Sequence, residues 1–342
     1  MRYDVIIAGA GFTGLALAAK LKNKTVLLID KFDIGTHNIS ACGMPVKTVE
    51  KVRCEDSIIQ VFDEAAIHTK RRETRVPFYD PFCTIEFSKF CELLNQQNHA
   101  TFLKASAKSV KGHTVITDQG EFDAEIIVDA TGWEAVLASS IDKHYVNREK
   151  VAFGVETEID YQDDKLRFYV DHDLIRNGAA WLFPAGQKSR FGIAYYTRQE
   201  PSHLIKALNR FVEEGFGLKV GNIHGGGFAY CWEQKPVMEG MFVVGGAAGQ
   251  TLPLTGEGIR RSIDFGFYVG DLILQILEGK LSKSDAYDRY EKFALSHEKR
   301  LKVLLRAQHK LRSLPDWKID LAARIVGFPL IGKRLWRWYE GA

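Results

Sequence analysis

The first thirty residues constrain this chain most. Tyr3-Asp-Val-Ile-Ile-Ala8 reads as a buried parallel strand, and Gly9-Ala-Gly11-Phe12-Thr13-Gly14 follows it as a G-x-G-x-x-G turn. Leu15–Leu21 reads as a small-residue helix and Thr25–Ile29 as a second strand closed by Asp30. In such a βαβ unit the first glycine permits the tight turn, the second lets a pyrophosphate approach the backbone, and the third lets helix and strand pack. The helix N-terminus offers free N–H groups and partial positive charge to phosphates, and Asp30 can accept ribose hydroxyls. Val5–Ala19 is uncharged and follows Arg2, so it also looks like a signal-peptide core. Strand, glycines, helix, strand and acid in order favour binding of an ADP moiety.

The length of 342 residues corresponds to about two domains. The 46 Lys/Arg and 43 Asp/Glu nearly cancel, but unevenly: residues 298–342 hold eleven basic and four acidic residues, a +7 tail on a body of −4. Five cysteines, without a CxxC or zinc spacing, suit a reducing, cytoplasmic compartment better than a disulfide scaffold, and no metal site is expected. No run reaches the ~18 apolar residues of a spanning helix. HExxH and GxxxxGK[ST] are absent, against zinc-protease or P-loop chemistry.

Two further elements extend the nucleotide site. Glu125-Ile-Ile-Val-Asp-Ala130-Thr131-Gly132 is a strand ending in Ala-Thr-Gly. Met241–Val244 is a short apolar strand running into Gly245-Gly246-Ala-Ala-Gly249, then Pro253-Leu-Thr-Gly256-Glu257-Gly258-Ile259 and a helix to about Glu278. A second strand–glycine–helix element late in the chain suits a cofactor spanning two sites, with a flavin at the second helix N-terminus. These elements resemble the FAD-dependent oxidoreductases built like para-hydroxybenzoate hydroxylase. Ala41-Cys42-Gly43, with Lys31–Gly35 before it, and Trp181-Leu-Phe183-Pro184, with Phe191–Ala194 after it, resemble the geranylgeranyl reductase family within them. The resemblance covers roughly residues 1–295.

It implies an α/β fold: a Rossmann-like FAD-binding domain of the glutathione reductase/para-hydroxybenzoate hydroxylase type, an inserted, mainly antiparallel substrate sheet, and a C-terminal helical segment. The expected division is 1–52, 85–150 and 233–284 for FAD, 53–84 and 151–232 for substrate, and 285–342 for the basic tail. FAD contacts are expected from Gly9, Gly11, Phe12, Thr13, Gly14, Asp30, Lys31, Cys42, Gly43, Ala130, Thr131, Gly132, Gly245, Gly246, Gly256, Glu257, Gly258 and Ile259. Substrate contacts are expected from Trp181, Phe183 and Pro184. Three positions depart from the pattern: Gly246 stands for an Asp, Phe87 for an Arg near the cofactor, and Ala179 for a Tyr.

Residues 151–159, 166–170, 190–196 and 226–232 read as strands and 203–214 as a helix. Their aromatic residues suit the wall of an apolar ligand site or a plain core. The family's chemistry is reduction of carbon–carbon double bonds of an isoprenoid lipid by hydride from reduced flavin, which also requires a proton source. Cys42 is the first catalytic candidate and Tyr195 the second, with Tyr196, His68 and His224 behind them. The fold also hosts monooxygenases of apolar or aromatic substrates, and a non-catalytic lipid-binding protein is a third reading. The electron donor, ferredoxin or NAD(P)H, leaves no motif.

Asp285–Leu311 is periodic as one helix, with Tyr287, Tyr290, Leu301, Leu304 and Gln308 on one face. Residues 316–339 mix Trp317, Phe328, Leu330, Trp336 and Trp338 with five Lys/Arg. Two readings of this tail stay open: peripheral membrane contact through 316–342, or a helical cap docked on the flavin domain. Nucleic acid is not an expected partner, since no reader motif accompanies the charge.

Overall fold

The computed structural model describes residues 2–197, 200–230 and 233–342. Two sheets organise the chain. In the first, Met241–Val243, Gly120–Asp129, Arg2–Ala8, Val26–Asp30 and Thr101–Lys104 run parallel in that order. Val237–Met238 adds an antiparallel edge, and the pair Ala107–Lys111 and Thr114–Thr117 extends Gly120–Asp129. Ile7 lies between Leu28 and Val128 in register, so the central strand is buried on both faces, as a parallel sheet requires.

Helix Phe12–Lys20 packs on one face of this sheet against helix Ile259–Leu277. Their approach is set by glycine: a Cβ on Gly266 would stand 2.8 Å from the Thr13 carbonyl oxygen, and one on Gly270 2.8 Å from Lys20 Cβ. The long helix is where the sequence places it, from Ile259 to Leu277.

The second sheet runs Ile223–Ala229, Val151–Ile159, Lys188–Tyr195, Gly178–Ala185, Leu166–Val170, Ile58–Thr69, Glu73–Ile85, Gly43–Pro45. All its pairings are antiparallel except Leu166–Val170 with Ile58–Thr69. Helix Pro201–Phe216 covers one face with Leu204, Leu208, Phe211 and Val212. The other face looks into a cavity. The expected strand 226–232 ends at Ala229, and its last two positions, Cys231 and Trp232, lie outside the described residues.

One expectation for the tail is corrected. The helix expected over 285–311 is two, Lys283–Ser296 and Glu298–Leu311. At the junction the Ser296 hydroxyl donates to the Phe293 carbonyl oxygen (2.7 Å), and His297 Nδ1 lies 3.0 Å from the same atom. Side chains thus compete for a carbonyl the helix would use. The 316–339 stretch is also two helices, Asp316–Gly327 and Pro329–Glu340, because Pro329 cannot continue the first and holds Phe328 extended.

Candidate active site

The ends of the parallel strands, the second sheet and the C-terminal helices enclose one cavity of about 1290 Å³. That exceeds the ~300–1,000 Å³ of an ordinary small-molecule pocket, leaving room for a large cofactor and a second ligand. At one end stands the glycine turn. Gly9 has φ +106°, and a Cβ there would meet the Ala130 carbonyl oxygen at 2.1 Å. A Cβ on Gly14 would stand 1.8 Å from the Gly9 carbonyl oxygen. Gly11 and Gly132, by contrast, face open space within the cavity. Helix Phe12–Lys20 begins with no side-chain cap, so its first N–H groups are free for a phosphate. Asp30 closes its strand as expected and accepts hydrogen bonds from Ala10 N (2.8 Å) and Phe32 N (3.0 Å), which aim its carboxylate at the turn. These residues fit the ADP half of FAD.

The second glycine element meets the first. Gly245 has φ +68° and packs against Thr13, whose Oγ1 would lie 2.1 Å from an added Cβ. Gly246, where an Asp is common, lies against Gly132 and Trp133 backbone and lines the cavity. The Ala-Thr-Gly turn is built on buried Asp129, which accepts from Thr131 N (3.0 Å), Thr131 Oγ1 (2.7 Å) and Ala138 N (2.8 Å). Burial raises the Asp129 carboxyl above its usual range, and those hydrogen bonds only partly offset it. Burial also raises the Glu257 carboxyl, but the Arg260 guanidinium at 2.7 Å outweighs it and leaves Glu257 below the usual range.

The residues expected to hold FAD converge on this cavity, except Gly14 and Gly245. Those two glycines are set behind it, where they let helix and turns approach. Cys42 lines the cavity with φ 55°, a left-handed backbone uncommon outside glycine. Its thiol lies 3.2 Å from the Ser40 carbonyl oxygen and 3.5 Å from Asn38 Oδ1. Burial pushes it up to about 12, so it holds its proton and is no ready thiolate. Gly43 next to it leaves no room for a side chain, because a Cβ would meet Phe183 at 2.8 Å and Phe82 at 2.9 Å.

Strand alternation sorts the substrate candidates. Ala179, Trp181 and Phe183 face the cavity, and Phe183 meets Phe168 edge-on at 5.3 Å. Pro184 is not among the cavity residues; its carbonyl accepts from Thr84 Oγ1 at 2.6 Å. Tyr195 turns to the opposite face and packs in the cluster of Phe191, Phe211 and Val212 beneath helix Pro201–Phe216. A one-residue step reverses the face, so Tyr196 reaches the cavity instead, its hydroxyl donating to the Leu254 carbonyl at 2.6 Å. His68 is held away from the cavity by Arg167 and Glu73 and stacks on Tyr169.

The far wall was not legible in the sequence. Leu304, Ala307, Ile319, Ala323, Leu335 and Trp336 of the last three helices close the cavity. Trp336 packs on Phe78 at 4.7 Å. These helices also hold the loop between Leu252 and Gly258: Leu254 N donates to Gln308 Oε1 (2.6 Å), and Thr255 Oγ1 lies 2.7 Å from the Tyr339 hydroxyl. The inner face of the tail is therefore a docked cap. Its outer face leaves Leu330 (89% exposed), Phe328 (58%) and Trp317 (52%) in solvent. Among the described residues no helix is long and apolar enough to cross a membrane, and no His, Cys, Asp or Glu cluster could hold a metal ion.

A two-part dinucleotide cradle opening onto an aromatic sheet defines the class: the chain has the fold of the FAD-dependent oxidoreductases built like para-hydroxybenzoate hydroxylase. The chain is similar to the digeranylgeranylglycerophospholipid reductase of Haloferax volcanii, with 25% identity covering 94% of this chain and 92% of that one. It matches the Methanocaldococcus jannaschii reductase of the same name at 26%, covering 96% and 92%. Among solved structures, a geranylgeranyl bacteriochlorophyll reductase-like protein from Thermoplasma acidophilum superposes with TM-score 0.84 at 22% identity, over 96% of this chain and 92% of that one. PqsL of Pseudomonas aeruginosa, described as a probable FAD-dependent monooxygenase, reaches 0.72 at 17%, over 92% and 96%. No family model matches the chain. The family resemblance of the Cys-Gly and Trp-x-Phe-Pro segments is thus matched by relatives along nearly the whole chain.

Proposed function

We propose that the protein saturates carbon–carbon double bonds of a geranylgeranyl-type isoprenoid lipid. The observation that carries this reading is the cavity itself. It continues from the FAD cradle past Trp181 and Phe183 to an apolar wall of Ile67, Val76, Phe78, Ile319, Val326 and Trp336. Bound and reduced, FAD supplies the hydride for such a bond. The chain's part is to hold a methyl-branched apolar chain in line with the cofactor and to keep water away. Cys42 serves in this reading as a neutral, cavity-facing thiol. The division into FAD domain, substrate domain and tail belongs to the same proposal, with the tail contributing to the cavity wall.

The exposed row of Trp317, Leu321, Phe328 and Leu330, beside Lys318, Arg324, Lys333 and Arg334, supports contact with a bilayer surface at this wall. Burying a Leu- or Phe-sized side chain contributes about 1.5–3 kcal/mol, so Phe328→Ser with Leu330→Ser should lower vesicle binding more than tenfold. Flotation with anionic vesicles measures it, and equal recovery of variant and parent in the lipid layer would remove this role. The substrate reading is tested with FAD-loaded protein, chemical reductant and digeranylgeranylglycerol phospholipid without oxygen. The lipid should gain two hydrogens per bond reduced; an unchanged lipid defeats the reading, and hydroxylation on admitting oxygen would replace it with a monooxygenase.

A further inference from the structure

One row of side chains crosses the cavity face of the second sheet. In register, His224 stands beside Glu156, Glu156 beside Gly192, Gly192 beside Trp181, and Trp181 beside Phe168. Gly192 lets the row work. An added Cβ there would lie 2.1 Å from two ring atoms of Trp181, so the indole occupies the space over the glycine. Across that gap Trp181 Nε1 donates to Glu156 Oε2 at 2.6 Å. The other carboxyl oxygen, Oε1, is buried without a hydrogen-bond partner, and His224 Nε2 approaches it to 3.3 Å. The two residues differ in exposure: the Glu156 side chain is 4% exposed and that of His224 34%. A buried acid at the cavity wall thus stands 3.3 Å from a part-exposed imidazole whose facing Nε2 is, among the described residues, likewise without a hydrogen-bond partner.

Three other ionisable groups of the cavity wall are committed elsewhere. Glu257 is paired with Arg260, the Tyr196 hydroxyl donates to Leu254, and the Cys42 thiol faces carbonyl oxygens. The charged and titratable groups facing the pair include Cys42, which feels both Glu156 and Arg190, and His37, which feels His224. Arg190 donates to the backbone carbonyls of Ala41 and Ile85 and pairs with Glu158, leaving Glu156 without a cation of its own in the cavity.

We propose that Glu156 is the proton donor for double-bond reduction, oriented by Trp181 and reloaded from water through His224. This rests on the reductase reading above. The π pair of the double bond forms one new C–H bond with the Glu156 proton, and the other carbon takes hydride from reduced flavin. The alkene gains two hydrogens and two electrons. The Glu156 carboxylate then takes a proton from the His224 imidazolium, which recovers one from water. Glu156 is the catalytic residue here, and His224 and Trp181 are positioning residues.

The test uses FAD-loaded wild type, Glu156→Gln and His224→Gln with digeranylgeranylglycerol phospholipid vesicles, anaerobically, in heavy water. Glu156→Gln keeps the acceptor for the Trp181 indole, so its indole N–H resonance, the flavin spectrum and lipid affinity should stay at wild-type values, while turnover falls ~10²–10⁴-fold. Deuterium delivered to one face of the double bond by wild type should be scrambled in the residual product. His224→Gln should slow turnover and recover with added imidazole. Glu156→Gln turning over within threefold of wild type with one-face deuterium overturns the proposal. So does a loss that tracks weakened FAD or lipid binding, which would make Glu156 structural. Should Glu156→Gln not fold, His224→Gln decides alone: failure of imidazole to restore turnover overturns the relay. Wild type that binds FAD and lipid yet saturates nothing defeats the reductase reading, and this inference with it, before any variant is compared.

Discussion

Adding one methyl group at Gly192 tests how the active-site sheet is built. Gly192 does not have a left-handed backbone, so Gly192→Ala introduces no strain of its own. The new Cβ would lie 2.1 Å from Trp181 Cε2 and Cζ2 and 2.5 Å from Nε1, where ordinary contact begins near 3.4 Å. The ring must withdraw by roughly 1 Å or more, too far for a 2.6 Å hydrogen bond to Glu156 to survive. If the ring stays wedged, overpacking costs about 1–3 kcal/mol. If it swings into the cavity, Glu156 Oε2 loses its buried partner, at a cost of about 1–3 kcal/mol. Either route destabilises the protein by about 2 kcal/mol, and the second also fills part of the cavity. Urea unfolding of Gly192→Ala, Trp181→Ala and the double variant, with lipid titrations, forms the assay. The Gly192→Ala cost should vanish once Trp181 is truncated. A Gly192→Ala cost below ~0.5 kcal/mol with normal lipid affinity, or the same cost in both backgrounds, would refute the reasoning.

Three further outcomes follow from the geometry. Gly14→Ala places a Cβ 1.8 Å from the Gly9 carbonyl oxygen, so FAD affinity, read by flavin fluorescence, should fall more than tenfold or the protein should not fold. Gln308→Leu removes the acceptor of Leu254 N inside the cap and should cost about 1–3 kcal/mol in urea unfolding and weaken FAD retention; unchanged values would show that the cap does not support the loop. Burial, with Arg261 beside it, lowers His297 to about 4 from an ordinary 6.5. The unfolded chain therefore binds a proton that the folded one refuses, and stability is full above pH 6.5 and falls as pH drops toward 4. Discounted for partial exposure this is about 1–2 kcal/mol, and His297→Asn should flatten that part of the stability–pH curve.

What the sequence revealed and concealed has physical causes. The FAD cradle was legible because Gly9 and Gly14 sit where no side chain fits, which imposes both residue type and spacing. Trp181 and Phe183 were legible by resemblance, and their cavity-facing alternation agrees. Tyr195 was misplaced because alternation separates two faces without saying which is the cavity, and only the packing of helix Pro201–Phe216 decides. Glu156 was overlooked because Glu156 and Glu158 look alike in Val-Glu-Thr-Glu-Ile; burial beside Trp181 distinguishes them, and burial is not written in the strand. The tail hid its role because apolar residues occur on both faces. Trp336 turns inward and Leu330 outward, and neither spacing nor charge tells the wall from the exposed row.

The most direct measurement of the central claim is a single turnover without oxygen. Protein carrying reduced FAD is mixed with digeranylgeranylglycerol phospholipid, and flavin reoxidation is followed alongside the lipid's mass. One double bond should be saturated for each flavin oxidised. Flavin that stays reduced beside bound lipid, or reoxidises with no gain of hydrogen in the lipid, would contradict it.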